Sequence, residues 1–164
     1  RQGSVTVFLP TAESGYGAET DHYLTQYTYD EQDREIQQLS YLNDEVLGVH
    51  TNYKYDNSGN LLLVHNVDKD GQLKMKYEAT YNGAGKIEES TVTSYLGLEM
   101  TTTWKYSYDS KGYLILEEEY QDGKLAHVLK DHKYDEAGNL LSCNSYGVDG
   151  VVCTEYHYTY QRID

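Results

Sequence analysis

Leu73, Met75, Tyr77, Ala79 and Tyr81 share one parity of the chain, while Gln72, Lys74, Lys76 and Glu78 occupy the other. Successive strand residues point to opposite faces, so a period of two marks a β-strand with one covered side. Trp104, Tyr106 and Tyr108 repeat the scheme, as do Tyr156, Tyr158 and Tyr160 around His157 and Thr159. Ser4–Leu9 forms a first strand, set apart by Pro10 and the Gly/Ser/Thr-rich loop Thr11–Thr20. Glu31 to Leu42 also fits a short helix, with Ile36, Leu39 and Leu42 along one side. Its position within the chain's internal repeat makes it a strand instead.

That repeat is carried by tyrosines two residues apart: Tyr27/Tyr29, Tyr53/Tyr55, Tyr106/Tyr108 and Tyr158/Tyr160, with Ala79/Tyr81 and His132/Tyr134 as near matches. Their second members step by 26, 26, 27, 26 and 26 residues, the spacing of a repeat protein. A turn signal follows most of them. Tyr55-Asp56-Asn57-Ser58-Gly59-Asn60-Leu61 matches Tyr134-Asp135-Glu136-Ala137-Gly138-Asn139-Leu140, and Tyr108-Asp109-Ser110-Lys111-Gly112-Tyr113-Leu114 follows closely. The copies beginning at Tyr81-Asn82 and Tyr29-Asp30 are weaker. Asp at the first position of a type I turn accepts backbone N–H bonds, and Gly at the fourth supplies a positive φ. Asp56, Gly59, Asp109, Gly112, Asp135 and Gly138 are therefore assigned as turn residues. A second turn falls midway, at Asp70-Gly71, Asp122-Gly123 and Asp149-Gly150, and more loosely at Leu96-Gly97 and Asn43-Asp44. Two turns per repeat leave two strands of roughly 8 to 10 residues.

Short turns force neighbouring strands to run up and down. The expected fold is all-β: an antiparallel meander of about twelve strands from ~26-residue hairpin repeats, as a single curved sheet or an open barrel or spiral. One domain spans residues 1–164, with 1–20 as an N-terminal strand and loop cap, 21–160 as the repeats and 161–164 as a tail.

Composition sharpens this picture. The 164 residues include 19 Tyr beside one Phe and one Trp. Tyr joins an apolar body to a polar tip, so its excess points to half-covered surfaces with wet hydroxyls rather than a sealed core. Ten of the 19 fall in the two tyrosine columns of the repeat, so most of the excess is architecture. The net charge of −14, with no run of Lys or Arg, excludes an electrostatic grip on nucleic acid or anionic lipid. No apolar stretch is long enough for a transmembrane helix. An outer-membrane barrel fails because Glu117, Glu118 and Glu119 charge both faces of one strand, and Lys130 to Lys133 nearly does so in another. Arg1-Gln2-Gly3-Ser4 reads as a mature or trimmed terminus, consistent with a removed leader and an exported protein.

The motif Tyr-x-Tyr-Asp-x-x-Gly-Asn-Leu resembles the tyrosine–aspartate repeat of the Rhs/YD-repeat family. Tyr53–Leu61 and His132–Leu140 carry it most clearly, with Tyr106–Leu114 close behind, and the likeness runs from about Tyr27 to Tyr160. The resemblance implies β-hairpins winding into a curled sheet. In large members that sheet becomes a hollow shell around a toxin, or a cell-surface adhesion module. With only its few repeats, this chain is similar to small stand-alone envelope or secreted members.

Candidate chemistry is sparse. His22, His50, His65, His127, His132 and His157 show no metal-ligand spacing. Asp68-Lys69-Asp70-Gly71 opens like a calcium loop, but no Glu falls at the twelfth position, and it reads as a turn. Glu88-Glu89 and Glu117-Glu118-Glu119 place consecutive carboxylates on opposite faces and read as solvated faces or protected edges. No cofactor, metal or catalytic residue is expected. Cys143 and Cys153 flank the Gly147–Gly150 turn, and a cross-strand disulfide between them requires a turn centred on residue 148.

The functional expectation is a non-catalytic structural or binding module of an exported or envelope protein, with polysaccharide or another envelope protein as partner. One alternative is a carbohydrate- or cell-wall-binding module using a stripe of Tyr27, Tyr53, Tyr81, Trp104, Tyr106, Tyr108, Tyr134, Tyr158 and Tyr160. The other is a carrier of hydrophobic ligands, if the sheet curls into a half-barrel. Exposed first or last strands could join a partner by strand addition, leaving monomer or edge-paired oligomer open.

Overall fold

The computed structural model describes residues 2–10, 20–43 and 45–161. Most of the expected loop Thr11–Thr20, and Asp44 of the Asn43-Asp44 turn, lie outside the described residues. Twelve strands follow one another: β1 (Gln2–Pro10), β2 (Thr20–Tyr29), β3 (Glu35–Leu42), β4 (Glu45–Tyr55), β5 (Leu61–Val67), β6 (Leu73–Tyr81), β7 (Ile87–Ser94), β8 (Met100–Tyr108), β9 (Leu114–Gln121), β10 (Lys124–Tyr134), β11 (Leu140–Tyr146) and β12 (Val152–His157). They form one antiparallel up-and-down sheet in chain order, with β1 and β12 at its two edges and no closure into a barrel. No helix occurs among the described residues, so the segment up to Leu42 that could also have been helical is strand β3.

Five turns share one construction. After each tyrosine pair the chain makes a type I turn closed by a residue in the left-handed region, the three-residue hairpin loop whose twist suits antiparallel strands. At Asp56 the N–H of Gly59 donates to the Asp56 carbonyl at 3.2 Å and the Asp56 N–H donates to the Asn60 carbonyl at 2.9 Å. The Asp56 carboxylate accepts from the N–H groups of Ser58 (2.8 Å) and Asn60 (2.9 Å), with the Asn60 side-chain amide at 2.8 Å. Asp30, Asn82, Asp109 and Asp135 repeat the backbone pattern. The weakest copy in sequence is thus a full copy in structure: Asp33 takes φ 57° where Gly59 has 91° and Gly138 has 86°.

The mid-repeat turns are not uniform. Asp68 to Gln72 makes the same loop as the tyrosine-linked ones, so the turn signal at Asp70-Gly71 begins two residues earlier than expected. Asp122-Gly123 is a two-residue hairpin with both residues at positive φ, 47° and 75°. Gly147 stands where the others have Asp, with Gly150 donating to its carbonyl at 3.0 Å.

The strands fall into two compact units, residues 1–78 with 94–99, and residues 79–93 with 100–164. In the first, Tyr27 pairs with Gln38, Gln38 with Thr51, Thr51 with Asn66 and Asn66 with Met75. Tyr53 pairs with Val64, which pairs with Tyr77. In the second, Tyr106 pairs with Glu117, Glu117 with Leu129, Leu129 with Ser145 and Ser145 with Thr154. Directly opposed residues share a face, so these rows lie with the tyrosines. Described residues that are buried are few and small: Ala79, Ser90, Thr93, Cys143 and Ser145. A single sheet has no deep interior, and cross-strand neighbours carry the packing instead.

Candidate functional site

Four of the second tyrosines lean across to the strand before their own; Tyr55, Tyr108 and Tyr134 end β4, β8 and β10, and Tyr160 lies three residues past the end of β12. Tyr55 Oη donates to the Glu35 carbonyl at 2.9 Å, Tyr108 to Ile87 at 2.9 Å, Tyr134 to Leu114 at 2.8 Å and Tyr160 to Leu140 at 2.9 Å. Each acceptor is the first residue of its strand. These hydroxyls were expected to be wet; they are used to fasten the preceding hairpin. Phe could fill the same space but would leave a carbonyl unpaired, and that explains why the repeat takes Tyr.

At three of these turns the residue four after the turn Asp or Asn covers the next repeat's tyrosine. The Arg34 guanidinium lies 4.9 Å from the Tyr55 ring centroid, Lys86 Nζ lies 5.2 Å from Tyr108, and the Tyr113 ring stacks on Tyr134 at 4.7 Å. Arg34 also ties two turns together, bonding the Asp30 carboxylate at 2.7 Å and the Asp56 carbonyl at 2.9 Å. A Cβ on Gly112 would fall 2.9 Å from Lys86 Cε, and one on Gly138 2.9 Å from Tyr113 Oη. Positive φ demands Gly at both positions, and at Gly138 the Tyr113 ring demands it a second time, whereas the flexible Lys86 can move away from Gly112.

The first tyrosines, Tyr27, Tyr53, Tyr106 and Tyr158, share their face with the second ones but do not form a ladder of rings. Successive repeats are two strands apart, and the strand between them places Gln38, Val64 and Glu117 opposite Tyr27, Tyr53 and Tyr106. The stripe is a set of aromatics set among polar and aliphatic residues. Burial and the neighbouring Glu35 carboxylate push the Tyr53 hydroxyl above its usual range. Tyr81 ends β6 in register with the others. Just past the end of the edge strand β12, Tyr158 and Tyr160 are 40% and 58% exposed.

Beside Tyr106 lies a feature the sequence reading placed in solvent. Glu117 and Glu119 are two apart and therefore share a face, opposite Tyr106 and Trp104 respectively. Glu117 is half-buried there, and burial raises its carboxyl above the usual range, with His132 and His127 opposing and Glu119 reinforcing the shift. Glu118 points the other way, opposite Lys105. The parity was readable; that Tyr106 and Leu129 would flank Glu117 depended on strand register.

The cysteines do not pair. Tyr146 is opposite Val152 and Ser145 opposite Thr154, so Cys153 is the extra residue of a bulge and Cys143 faces Tyr156. Both are free thiols: Cys143 is 2% exposed, with its thiol pushed up by burial, and Cys153 lies on the surface. His127 Nε2 contacts the Ser145 hydroxyl. Asp68 accepts from the N–H groups of Asp70 and Gln72, and its second oxygen meets Lys74 Nζ at 2.8 Å, so its carboxylate is committed to the turn. Among the described residues, no three His, Cys, Asp or Glu side chains converge as metal ligands.

No family model matches the chain, and no curated protein matches it. Solved structures do resemble it. A chain of the Photorhabdus luminescens Tc holotoxin pore, with a TccC3 mutation, matches 84% of this chain at 16% identity with a TM-score of 0.52. The TcdB2–TccC3–Cdc42 structure matches 93% of it at 13% identity with a TM-score of 0.55. This chain spans only 10% and 12% of the length of those chains. At such identities the likeness is one of fold: the chain is built like a β-repeat segment found within Tc toxin chains.

Proposed function

We propose that this chain is a non-catalytic β-repeat module of an exported or envelope protein, a scaffold that presents one face to a macromolecular partner. The observation that carries this reading is the engagement of the repeat's own polar groups. The hydroxyls of Tyr55, Tyr108, Tyr134 and Tyr160 and the carboxylates of Asp30, Asp56, Asp68 and Asp135 are all bonded within the sheet. Residues that define the repeat are thus occupied in holding it. The resemblance of the motif to YD repeats and the fold shared with Tc toxin chains support the same reading.

A nucleophile must meet its substrate, and Ser145, which contacts His127, is 2% exposed. A hydrophobic-ligand carrier needs an apolar cavity. The described grooves, of about 540 Å³ beside Tyr106 and about 230 Å³ beside Tyr27, are lined largely by polar residues such as Asn82, Asp109, Gln26 and Gln37. The carbohydrate reading retains Trp104 and Tyr106, whose rings are not covered in the way Tyr134 is.

Tyr106→Ala and Tyr158→Ala variants, tested on a glycan array and in unfolding measurements, separate these readings. The scaffold reading predicts a lowered unfolding midpoint for Tyr106→Ala and no glycan binding by the unaltered chain. Saturable glycan binding abolished by Tyr106→Ala, with stability unchanged, would contradict it.

A further inference from the structure

Two rows cross the tyrosine face of the second unit side by side: Trp104–Glu119–His127 and Tyr106–Glu117–Leu129. Opposed strand residues have Cβ atoms about 4.5–5.5 Å apart, so two aromatic rings and two carboxylates form one block. The charged groups acting on Glu117 are His132, Glu119 and His127, with no Lys or Arg among them. The lysines of these strands lie elsewhere: Lys105 is opposite Glu118, Lys130 opposite Leu116, Lys133 opposite Ser142, and Lys124 sits beside the β9–β10 turn. Nδ1 of the neighbouring His132 is buried without a partner. A sunken carboxylate is costly unless it is paired. In its own sheet only His132 and His127 offset its charge, and no Lys or Arg does.

We propose that Trp104, Tyr106, Glu117 and Glu119 form a binding site for a cationic side chain of a polypeptide partner, a lysine ammonium or an arginine guanidinium. This rests on the binding-module reading and names the chemistry of the partner. Glu117 and Glu119 act as counter-ions, and the two rings attract the cation through their faces. Charge selects the occupant: with net charge −14 the chain draws cationic segments toward it. A neutral sugar could stack on Trp104 but would leave the carboxylates uncompensated, and an anionic one would be repelled.

Trp104 is the single tryptophan, so its fluorescence reports the site directly. The full chain is titrated at physiological ionic strength with a short oligolysine peptide, the same peptide Nε-acetylated, and a neutral chito-oligosaccharide. The expected result is a saturable change with oligolysine and none with the acetylated peptide. Glu117→Gln should weaken the interaction roughly tenfold or more, while Glu136→Gln, on an exposed turn, removes the same charge without effect. Equal weakening by both variants, an equal response to the acetylated peptide, or no response to oligolysine overturns the site. The acetylated-peptide comparison uses the unaltered chain, so it decides even if Glu117→Gln fails to fold. A sugar response insensitive to Glu117→Gln overturns the cationic site while leaving the module reading standing; hydrolysis of the oligosaccharide would overturn that reading instead.

Discussion

After Tyr29, Tyr55, Tyr81, Tyr108 and Tyr134 the chain makes one loop five times, whereas half a repeat later it makes several different ones. Two of the tyrosine-linked loops are packed, Lys86 lying against Gly112 and Tyr113 against Gly138, while Gly59 and Gly85 have open space around them. The positive-φ glycines of the mid-repeat loops are all open, although Gly147 meets the Asp149 side chain at 3.1 Å. No atom lies within 4 Å of a Cβ placed on Gly71, Gly97, Gly123 or Gly150. They also carry exposed aliphatic residues, with Leu96 at 72%, Leu98 at 86% and Val148 at 70%. The difference teaches where the repeat is constrained. One set of loops must receive the tyrosine hydroxyl and its covering side chain, so its geometry is fixed; the other only reverses the chain, so its length and chemistry are free to vary.

Substitution of the glycines tests this most severely. Gly138→Ala combines backbone strain at φ 86° with a 2.9 Å contact to Tyr113, and should cost about 2–4 kcal/mol in urea unfolding. Gly97→Ala has φ 98° and open space around it, and should cost only about 1 kcal/mol. Equal losses would mean that the covering contacts contribute nothing.

The turn carboxylates come next. Asp135 accepts from the Asn139 backbone and side-chain amides, both at 2.8 Å, while Asp149 accepts only the Val151 N–H at 3.0 Å. Asp135→Ala should lower Tm by several degrees and Asp149→Ala by less than half as much, measured by circular dichroism. The reverse order would break the distinction between the two sets.

Much of this was legible in the sequence. Alternation around Tyr77 and Tyr106 located strands, and the Asp-x-x-Gly spacing located turns, because both are local patterns. What escaped needed the register between strands. The destination of the Tyr55 hydroxyl depends on where β3 begins, 20 residues earlier. The burial of Glu117 depends on Tyr106 across β8. The cysteine pairing failed on a single bulge residue, Cys153, because one residue of slip moves a side chain to the other face.

A smaller effect should appear on acidification. Asp56 and Asp135 are held below the usual carboxylate range chiefly by their Asn60 and Asn139 amides, Asp68 by Lys74 and Asp30 by the Arg34 N–H. A carboxyl that binds its proton less tightly folded than unfolded contributes stability above its unfolded pKa, near 3.9. That contribution is lost as pH falls through the lower folded value. Glu117 acts oppositely: raised by burial, it favours the fold as it takes up its proton above the usual Glu range. Stability profiles should therefore fall less steeply below pH ~4 in Asp56→Asn than in the unaltered chain, and Glu117→Gln should remove the opposing contribution above that range. Parallel profiles for all three chains would contradict these assignments.

The central claim is that the tyrosine excess is scaffold, with hydroxyls fastening each hairpin to the strand before it. Urea unfolding of Tyr108→Phe and Tyr134→Phe, with Tyr156→Phe on the exposed edge strand as reference, tests it most directly. The account predicts a loss of about 0.5–1.5 kcal/mol for each of the first two and no measurable loss for Tyr156→Phe. Unchanged stability in all three would show that the hydroxyls are free for a ligand and would contradict the account.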